Sequence, residues 1–391
     1  MRVVITGIGL LSPCGLSLQE AWGALLEGRA GLRPLEFLPR GFPWRLGGPL
    51  PGSLPRGLSP KEQRRLSRFV ALAVLAAGAA LKDAALRGPL RAGVLIGSSR
   101  GGLLELEAQR PGGYLMASTT VGMAAAYVAK KFQLQGHALG LSSACASGLQ
   151  AVGEALRLLR EAREQVVLAG GAEAPLCRLA LQGYGRMGAL SRGSTARASR
   201  PFDRRRDGFV LSEGAVVLVL EALEHALRRG ARIYGELLGY GNTIDAHHET
   251  RPLARTEAAC IGQALRDARL GPQDVQLLLA HAPGTPLGDA TEAEALLLAL
   301  GQRATEVPTL TLKALTGHML SASGVMEVAV ALKAMAEGLL PPNPHTTEPE
   351  GPLKLLLGRR PLRYGAHLAL VNSFGFGGFN AAVLLRGPQG I

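Results

Sequence analysis

The sequence predicts an α/β protein with sheets covered by helices on both faces and a chain made of two related halves. Short apolar runs alternate with long helices rich in Ala and Leu along the 391 residues. With 47% hydrophobic and only 4% aromatic residues, the chain can bury a large core of Ala, Leu and Val. In addition, Ala146–Val152 resembles Ala322–Val328, and each segment begins a helix followed by a strand that ends in glycine.

The individual elements follow from these patterns. Short apolar runs predict strands at Val3–Thr6, Arg91–Ile96, Gln165–Ala169, Ala215–Leu220, Gln276–Ala280, Thr309–Leu312 and Leu368–Asn372. Longer periodic segments predict helices at Leu18–Glu27, Pro60–Leu86, Gly148–Arg163, Thr256–Leu270, Asp289–Gly301 and Gly324–Gly338. The two halves are expected to meet near Asn242–Thr250, which predicts domains of residues 1–245 and 246–391.

The charge balance narrows the class of partner. The formal net charge is +13, which suits a nucleic acid, an anionic membrane or an acidic protein. The sequence has no zinc-finger, RNA-recognition or helix-turn-helix pattern, and aromatic residues are too few for base stacking. We therefore expect no nucleic-acid or membrane partner and favour an acidic protein.

Cysteine usage and hydropathy indicate the compartment. Cys14, Cys177 and Cys260 are scattered, without a disulfide framework or a spacing typical of metal ligands. The first seven residues resemble a strand entering a glycine turn rather than a signal peptide. The longest apolar stretch, Phe69–Leu81, is too short to span a bilayer. These features predict a soluble, cytoplasmic protein.

The most informative segment is Ser142–Gly148, which contains Cys145. It lies between a short apolar run, Ala138–Leu141, and a long helical pattern that begins at Leu149. A cysteine where a strand turns into a helix faces unpaired backbone N–H groups and the positive end of the helix dipole, so we expect a thiolate nucleophile. The alternative is a buried structural cysteine, because free cysteine is often a small core residue.

Three further motifs contain chemically useful residues. His281 ends a predicted strand ahead of a Gly/Pro turn, a common place for site residues, although a histidine satisfied by backbone partners is also possible. Lys313 and His318 flank a Thr-Gly turn, and a lysine in an apolar stretch needs a partner, for which Glu327 is a candidate. The glycines of Asn372–Gly378 permit a ligand to approach the backbone closely, but they lack dinucleotide-binding spacing.

Together these motifs resemble the β-ketoacyl-acyl-carrier-protein synthases of types I and II, the elongating condensing enzymes of fatty-acid and polyketide synthesis. The resemblance covers nearly the whole chain and includes Val4–Gly9, Gly170–Glu173, Pro201–Asp203 and Arg206–Ala215. It implies a thiolase-like, five-layered αβαβα sandwich of two related halves and a homodimer. The first half would then contain the nucleophilic cysteine, and the second both histidines and the lysine.

The resemblance also implies a role for each site residue. Cys145 would accept an acyl chain from a carrier-protein thioester, and the backbone N–H groups of Cys145 and Phe374 would form the oxyanion hole. The Phe374 side chain would be the gate between the acyl pocket and the pantetheine tunnel. His281 and His318 would hydrogen-bond the malonyl thioester and stabilise the enolate left by decarboxylation. Lys313, paired with Glu327, would orient the histidines.

The resemblance further implies how the substrate is held. Thr250 and Thr285 would contact the phosphopantetheine arm, which arrives on an acidic acyl-carrier protein, so the enzyme itself binds no cofactor. The carrier would dock on Lys61, Arg64 and Arg65, although these residues also fit an ordinary solvated helix face. No metal is expected, since His247-His248-Glu249 has no third ligand nearby.

The chain departs from the family pattern in three places. Pro283 replaces a pantetheine-contacting threonine and lacks a backbone donor, Phe379 stands where threonine is usual, and the segment between Gly102 and Ser118 is short. A non-catalytic partner subunit, like the chain-length factors of polyketide systems, is therefore the rival hypothesis, although such subunits usually lack the cysteine. A thiolase or an initiating synthase fits Lys313 and His318 less well.

Overall fold

The structure is a computed structural model that describes residues 1–108 and 115–391. In these residues the strands are β1 (Val3–Leu11), β2 (Arg33–Pro34), β3 (Leu46–Gly47), β4 (Gly93–Gly97), β5 (Ala138–Leu141), β6 (Val166–Glu173), β7 (Gly214–Ala222), β8 (Gly235–Ile244), β9 (Leu277–Leu279), β10 (Pro308–Leu310), β11 (Leu339–Leu340), β12 (Lys354–Leu355), β13 (Leu362–Arg363), β14 (Leu368–Gly375) and β15 (Phe379–Arg386).

The helices of the same residues are α1 (Leu18–Leu26), α2 (Pro60–Arg65), α3 (Arg68–Asp83), α4 (Leu103–Glu107), α5 (Leu115–Thr119), α6 (Met123–Phe132), α7 (Ser147–Arg160), α8 (Arg178–Arg186), α9 (Leu223–Arg228), α10 (Ala254–Ala268), α11 (Pro286–Leu300), α12 (Arg303–Glu306), α13 (Lys313–Thr316) and α14 (Ser321–Glu337). Part of the short segment between Gly102 and Ser118, residues 109–114, lies outside the described residues.

The main sheet has two groups of five strands with the same topology. Its order is β12-β10-β9-β14-β15-β8-β1-β7-β6-β4-β5. When the five strands of each group are numbered in chain order, β5-β4-β6-β7-β1 and β10-β9-β14-β15-β8 both have the order 3-2-4-5-1. Short antiparallel pairing of β1 with β8 joins the two groups. The prediction of two related halves is thereby confirmed. In this repeat β8 corresponds to β1; the division at residues 245/246, just after β8, stays a prediction.

Helices complete a five-layered sandwich, as predicted. Helix α3 covers the outer face of the first group of strands, α10 and α11 cover the second, and α7 and α14 fill the layer between. The segments matched by the internal repeat begin these two central helices. They cross closely at Gly148, where a Cβ atom would lie 2.1 Å from the carbonyl oxygen of Ser321. The repeated glycine therefore permits the contact that joins the two halves.

One predicted helix was wrong in detail, and one strand was not predicted. The helix predicted at Pro60–Leu86 is divided into α2 and α3, because Leu66 and Ser67 adopt extended backbone angles. Strand β8 was not predicted, because glycines interrupt its apolar run. Those glycines lie against α10: a Cβ on Gly241 would be 2.0 Å from the carbonyl oxygen of Cys260. Close packing, rather than a turn, explains their presence.

Candidate active site

Cys145 lies at a sharp turn between β5 and α7. The preceding residue, Ala144, has φ of +48°, a left-handed conformation that is unfavourable for a residue with a Cβ atom. The Ser147 hydroxyl stabilises the turn by accepting a hydrogen bond from the Ser143 N–H (2.8 Å) and donating one to the Ala144 carbonyl (2.6 Å). On the opposite side Gly375 approaches so closely that a Cβ there would be 3.0 Å from the Cys145 nitrogen. The turn thus directs the sulfur towards residues of the second half.

The structure brings both predicted histidines to this sulfur. His318 Nε2 lies 3.0 Å from Cys145 Sγ, and the rings of His281 and His318 are 5.3 Å apart in an edge-to-face arrangement. All three side chains are buried. His281 follows β9, and its position is fixed because its backbone N–H and that of Ala282 donate hydrogen bonds to the carboxylate of Glu292.

Both imidazoles are neutral in this environment. Burial lowers the pKa of His281 well below its usual value, and electrostatic interactions with Lys313 and then with the His318 ring contribute in the same direction. Burial, followed by the charge of Lys313, lowers the pKa of His318 in the same way. Neutral histidines can each donate one hydrogen bond to a carbonyl oxygen and offer the other nitrogen as an acceptor.

Lys313 and Glu327 form a buried ion pair beside the histidines. Lys313 Nζ lies 2.5 Å from Glu327 Oε1, and the side chains are 1% and 2% exposed. Burial raises the pKa of Glu327, and the charge and hydrogen bond of Lys313 oppose this rise and stabilise the carboxylate. The expected partner of Lys313 is therefore in place, and the lysine provides a positive charge that acts on both imidazoles.

The expectation of a resting thiolate at Cys145 was wrong. Burial raises the pKa of the thiol to about 11, and the positive charges of Arg100 and Lys313 offset this only in part. The sulfur therefore rests as a thiol and needs a base, and His318 Nε2 is within reach of its proton. Arg100, which the sequence did not single out, also donates a hydrogen bond from Nε to the Tyr184 hydroxyl at 2.7 Å.

Ser323 is a second residue that sequence reasoning missed. Its hydroxyl lies 3.2 Å from His318 Nδ1 and accepts a hydrogen bond from the backbone N–H of Met319. A serine hydroxyl can donate to Nδ1 or accept from it. In the first case Nε2 carries the hydrogen and can donate it to a carbonyl; in the second, Nε2 is free to accept the thiol proton.

The backbone donor beside Cys145 belongs to Phe376 and not to Phe374, the residue predicted for the oxyanion hole. The backbone N–H of Phe376 stabilises the thiolate form and so lowers the pKa of Cys145. Phe374 instead pairs with Asn380 inside the β14–β15 ladder, whereas Phe376 lies in the turn after β14. The Phe376 ring also packs near Tyr184, with centroids 6.4 Å apart, while Phe374 lies against His281.

A cavity of about 320 Å³ leads to this cluster. Its wall includes Cys145 and both histidines, and it also contains Thr250 and Thr285, the predicted pantetheine contacts. Thr285 caps α11 by accepting a hydrogen bond from the Gly288 N–H at 3.2 Å, so its hydroxyl hydrogen remains available to a ligand. Most of the lining is apolar, which is typical of sites that exclude water from a bound ligand.

The predicted docking residues lie on α2, a short helix with a Ser59–Glu62 capping box. Lys61 and Arg64 are exposed, and Arg65 is half-buried. Glu62 pairs with Lys131 at 2.7 Å, so the one acidic side chain of this helix is neutralised by a neighbour. The surface formed by Lys61, Arg64 and Arg65 is therefore positively charged.

One atom each from Cys145, His281 and His318 lie within 4.8 Å of one another, a spacing that would also suit a metal ion, so the absence of a metal stays a prediction.

In the described part of the chain, no helix combines the length and apolar character needed to cross a bilayer.

Comparison with known proteins agrees with this architecture. Residues 1–226 match the family model described as "Beta-ketoacyl synthase, N-terminal domain", and residues 234–347 match the corresponding C-terminal domain. A 3-oxoacyl-[acyl-carrier-protein] synthase 2 from Synechocystis sp. is 38% identical over 99% of this chain and 98% of its own length. A putative polyketide beta-ketoacyl synthase 1 from Streptomyces cyaneus is 36% identical over 100% of this chain and 99% of its own.

A solved structure shares the fold. It contains a type II polyketide synthase acyl-carrier protein in complex with its ketosynthase bound to the hexaketide. The matching chain has a TM-score of 0.90 and 30% identity, over 99% of this chain and 99% of its own. The predicted sandwich of two related halves is thus also the architecture of a chain of this complex.

Proposed function

Because the chain belongs to the β-ketoacyl synthase family, we propose that it condenses an acyl-enzyme thioester with malonyl-acyl-carrier protein in fatty-acid or polyketide elongation. The reaction is a decarboxylating Claisen condensation that yields β-ketoacyl-acyl-carrier protein. The observation that carries this proposal is the buried cluster of one thiol and two neutral imidazoles at a cavity wall. A thiol can hold the acyl group, and the imidazoles can stabilise an enolate without adding negative charge.

The first half-reaction transfers the acyl chain to sulfur. His318 Nε2 accepts the proton of Cys145 as the sulfur attacks the thioester carbonyl carbon. The developing oxyanion accepts hydrogen bonds from the backbone N–H groups of Cys145 and Phe376. When the tetrahedral intermediate collapses, the bond to the pantetheine sulfur breaks, and the departing thiolate takes the proton from His318.

The second half-reaction joins the two chains. The malonyl carbonyl oxygen accepts hydrogen bonds from His281 and His318, so loss of carbon dioxide leaves an enolate whose charge both imidazoles stabilise. The enolate carbon attacks the acyl carbonyl carbon, the bond to Cys145 breaks as the new ketone carbonyl forms, and the departing thiolate takes up one proton from solvent. Lys313 keeps both imidazoles neutral through its charge.

The substrate arrives on the phosphopantetheine arm of an acidic acyl-carrier protein. Thr250 and Thr285, on the cavity wall, bind the arm, and Lys61, Arg64 and Arg65 on α2 bind the carrier. A complex of a carrier protein with its ketosynthase in a similar structure supports this choice of partner. The enzyme binds no cofactor of its own.

Two chains form a homodimer through β5. This strand is at one edge of the main sheet, and its residues Ala138, Leu139 and Gly140 are exposed. An exposed edge strand is favourable for pairing with another strand. The four cysteines are free, which suits a reducing compartment, and the proposed location is the cytoplasm.

A non-catalytic partner subunit is the second candidate function. It is supported by Pro283, a residue of the cavity wall that stands where the family pattern has a threonine. The presence of Cys145 within 3.0 Å of His318 favours the catalytic function.

The two candidates are separated by incubating the protein with a panel of acyl-carrier proteins and measuring the mass of the intact chain. An active synthase gains one acyl group at Cys145, and the Cys145→Ala variant gains none. The variant also loses condensation but still releases carbon dioxide from malonyl-carrier protein, because His281, His318 and Lys313 are unchanged. A chain that acquires no acyl group from any carrier is a partner subunit.

A further inference from the structure

Glu257 is a buried acid on the wall of the active-site cavity that the proposed mechanism does not use. It lies in the first turn of α10 and is 1% exposed. It contributes to the same cavity as Cys145, Thr250 and Thr285. Among residues 1–108 and 115–391, no group hydrogen-bonds to its Oε2 atom. A buried polar atom without a partner is costly and therefore needs an explanation.

The charged neighbours of Glu257, Asp245 and Glu292, are both acids. Asp245 already accepts hydrogen bonds from the Thr256 hydroxyl, the Asn380 amide (2.7 Å) and the Leu253 N–H (3.1 Å). Glu292 accepts the N–H groups that position the loop at His281. Burial, followed by the charges of Glu292 and Asp245, raises the pKa of Glu257 well above its usual value. Both effects favour the neutral carboxylic acid over the carboxylate.

A neutral carboxyl group is complementary to an amide. Its O–H donates to an amide carbonyl, while its C=O accepts from the amide N–H. The pantetheine arm contains two amides. On the same cavity wall Pro283 can donate no hydrogen bond, because proline has neither a side-chain hydroxyl nor a backbone N–H. Compared with the family pattern, the cavity therefore lacks the polar contact of the threonine at position 283. The carboxyl group of Glu257 is a polar group on the same wall that could contact the arm instead.

We propose that Glu257 is a further binding residue, whose carboxyl group hydrogen-bonds an amide of the pantetheine arm in place of the threonine that Pro283 replaces. This inference rests on the proposed function, because it requires the arm to enter the cavity beside Cys145. The unused carboxyl group then obtains its partner only when the substrate is bound.

The experiment measures binding without requiring catalysis. S-butyl pantetheine, a thioether that cannot acylate the enzyme, is titrated as a protector of Cys145 against iodoacetamide. Glu257→Ala is expected to weaken protection about three- to tenfold, the effect of losing one hydrogen bond. Glu257→Gln, which retains a donor and an acceptor, is expected to stay within about twofold of the wild type. Glu294→Ala, at an exposed acid of α11, is the control.

A second probe separates a binding role from a structural one. Butyl methyl sulfide contains no amide, so its protection of Cys145 should be the same in wild type and Glu257→Ala. Equal weakening of both probes, or no change with either, overturns the role of Glu257 and leaves the proposed function standing. If S-butyl pantetheine does not protect wild-type Cys145 at any concentration, no arm binds in the cavity, and both proposals fall.

Discussion

His318 Nε2 lies 3.0 Å from Cys145 Sγ, although 173 positions separate the two residues in the sequence. Each belongs to a different half of the chain, beside the start of one of the two central helices, α7 and α14. The close crossing of these helices at Gly148 brings the two segments together. The reactive pair is thus a consequence of how the halves pack, and a bulkier residue at the crossing would separate the nucleophile from its base.

Arg100 is expected to control the reactivity of Cys145. Its charge is the largest influence that opposes the rise in the pKa of the thiol caused by burial. Removing the charge in Arg100→Met should raise the pKa further and slow alkylation by iodoacetamide at pH 8 by up to about tenfold. The rate is measured by mass spectrometry of the peptide that contains Cys145.

Tyr184→Phe is the matched control for this measurement. It removes the hydroxyl that accepts a hydrogen bond from Arg100 but keeps the guanidinium charge. Alkylation at the wild-type rate is expected. If both variants slow the reaction equally, the effect comes from packing around the cavity and not from charge.

The Lys313–Glu327 pair predicts a non-additive effect on stability. Both groups are buried, so Lys313→Met leaves a carboxyl group without its partner and should lower the free energy of unfolding by about 3 kcal/mol. Lys313→Met combined with Glu327→Met leaves no buried charge and should lose less than the single variant. Denaturant titration of Lys313→Met, Glu327→Met and the double variant tests this. If the losses of unfolding free energy in the two single variants add up to the loss in the double variant, the two side chains do not interact.

Much of the site could be predicted from local sequence. Cys145 stands out because it lies where an apolar run turns into a helical pattern, His281 because it ends a predicted strand ahead of a Gly/Pro turn, and Lys313 because it interrupts an apolar run. The choice between Phe374 and Phe376 could not be made in this way. Both lie in one Phe-Gly-Phe motif, and only the end of β14 determines which backbone N–H is free to reach the sulfur.

Other features depend on contacts between distant segments. The turn before α7 suggested a thiolate at Cys145, but burial by the surrounding layers has the larger effect on its pKa. Glu257 looks like an ordinary acid in the first turn of a helix, where the dipole favours it. Only the packing of α10 beside Asp245 and Glu292 shows that it is enclosed with other acids.

The basic face of α2 predicts a defect that depends on the carrier protein. Changing Lys61, Arg64 and Arg65 together to Glu should raise KM for acyl-carrier-protein substrates about tenfold at low salt, with kcat unchanged, because charge complementarity governs the encounter. The increase should shrink at high salt. KM for acyl-pantetheine thioesters, which lack the carrier, should not change.

The control for the α2 variant changes the net charge of the protein by the same amount at a different place. Arg228, Arg359 and Arg360 are exposed elsewhere on the surface, and changing them together to Glu alters the net charge equally. This control should retain the wild-type KM. An equal increase in both triple variants would mean that net charge, and not the α2 face, attracts the carrier.

Glu257 also predicts a pH-dependent difference in stability. Its pKa is well above the usual value in the folded protein, so above about pH 4.5 the unfolded chain releases a proton that the folded chain retains. Folding stability from this group therefore falls as pH rises, by about 1.4 kcal/mol per pH unit, until the folded pKa is reached. Glu257→Gln removes this loss, so its advantage in melting temperature over the wild type should grow from pH 5 to pH 8. A constant difference between the two proteins across this range would show that Glu257 is already ionised in the folded state at pH 5.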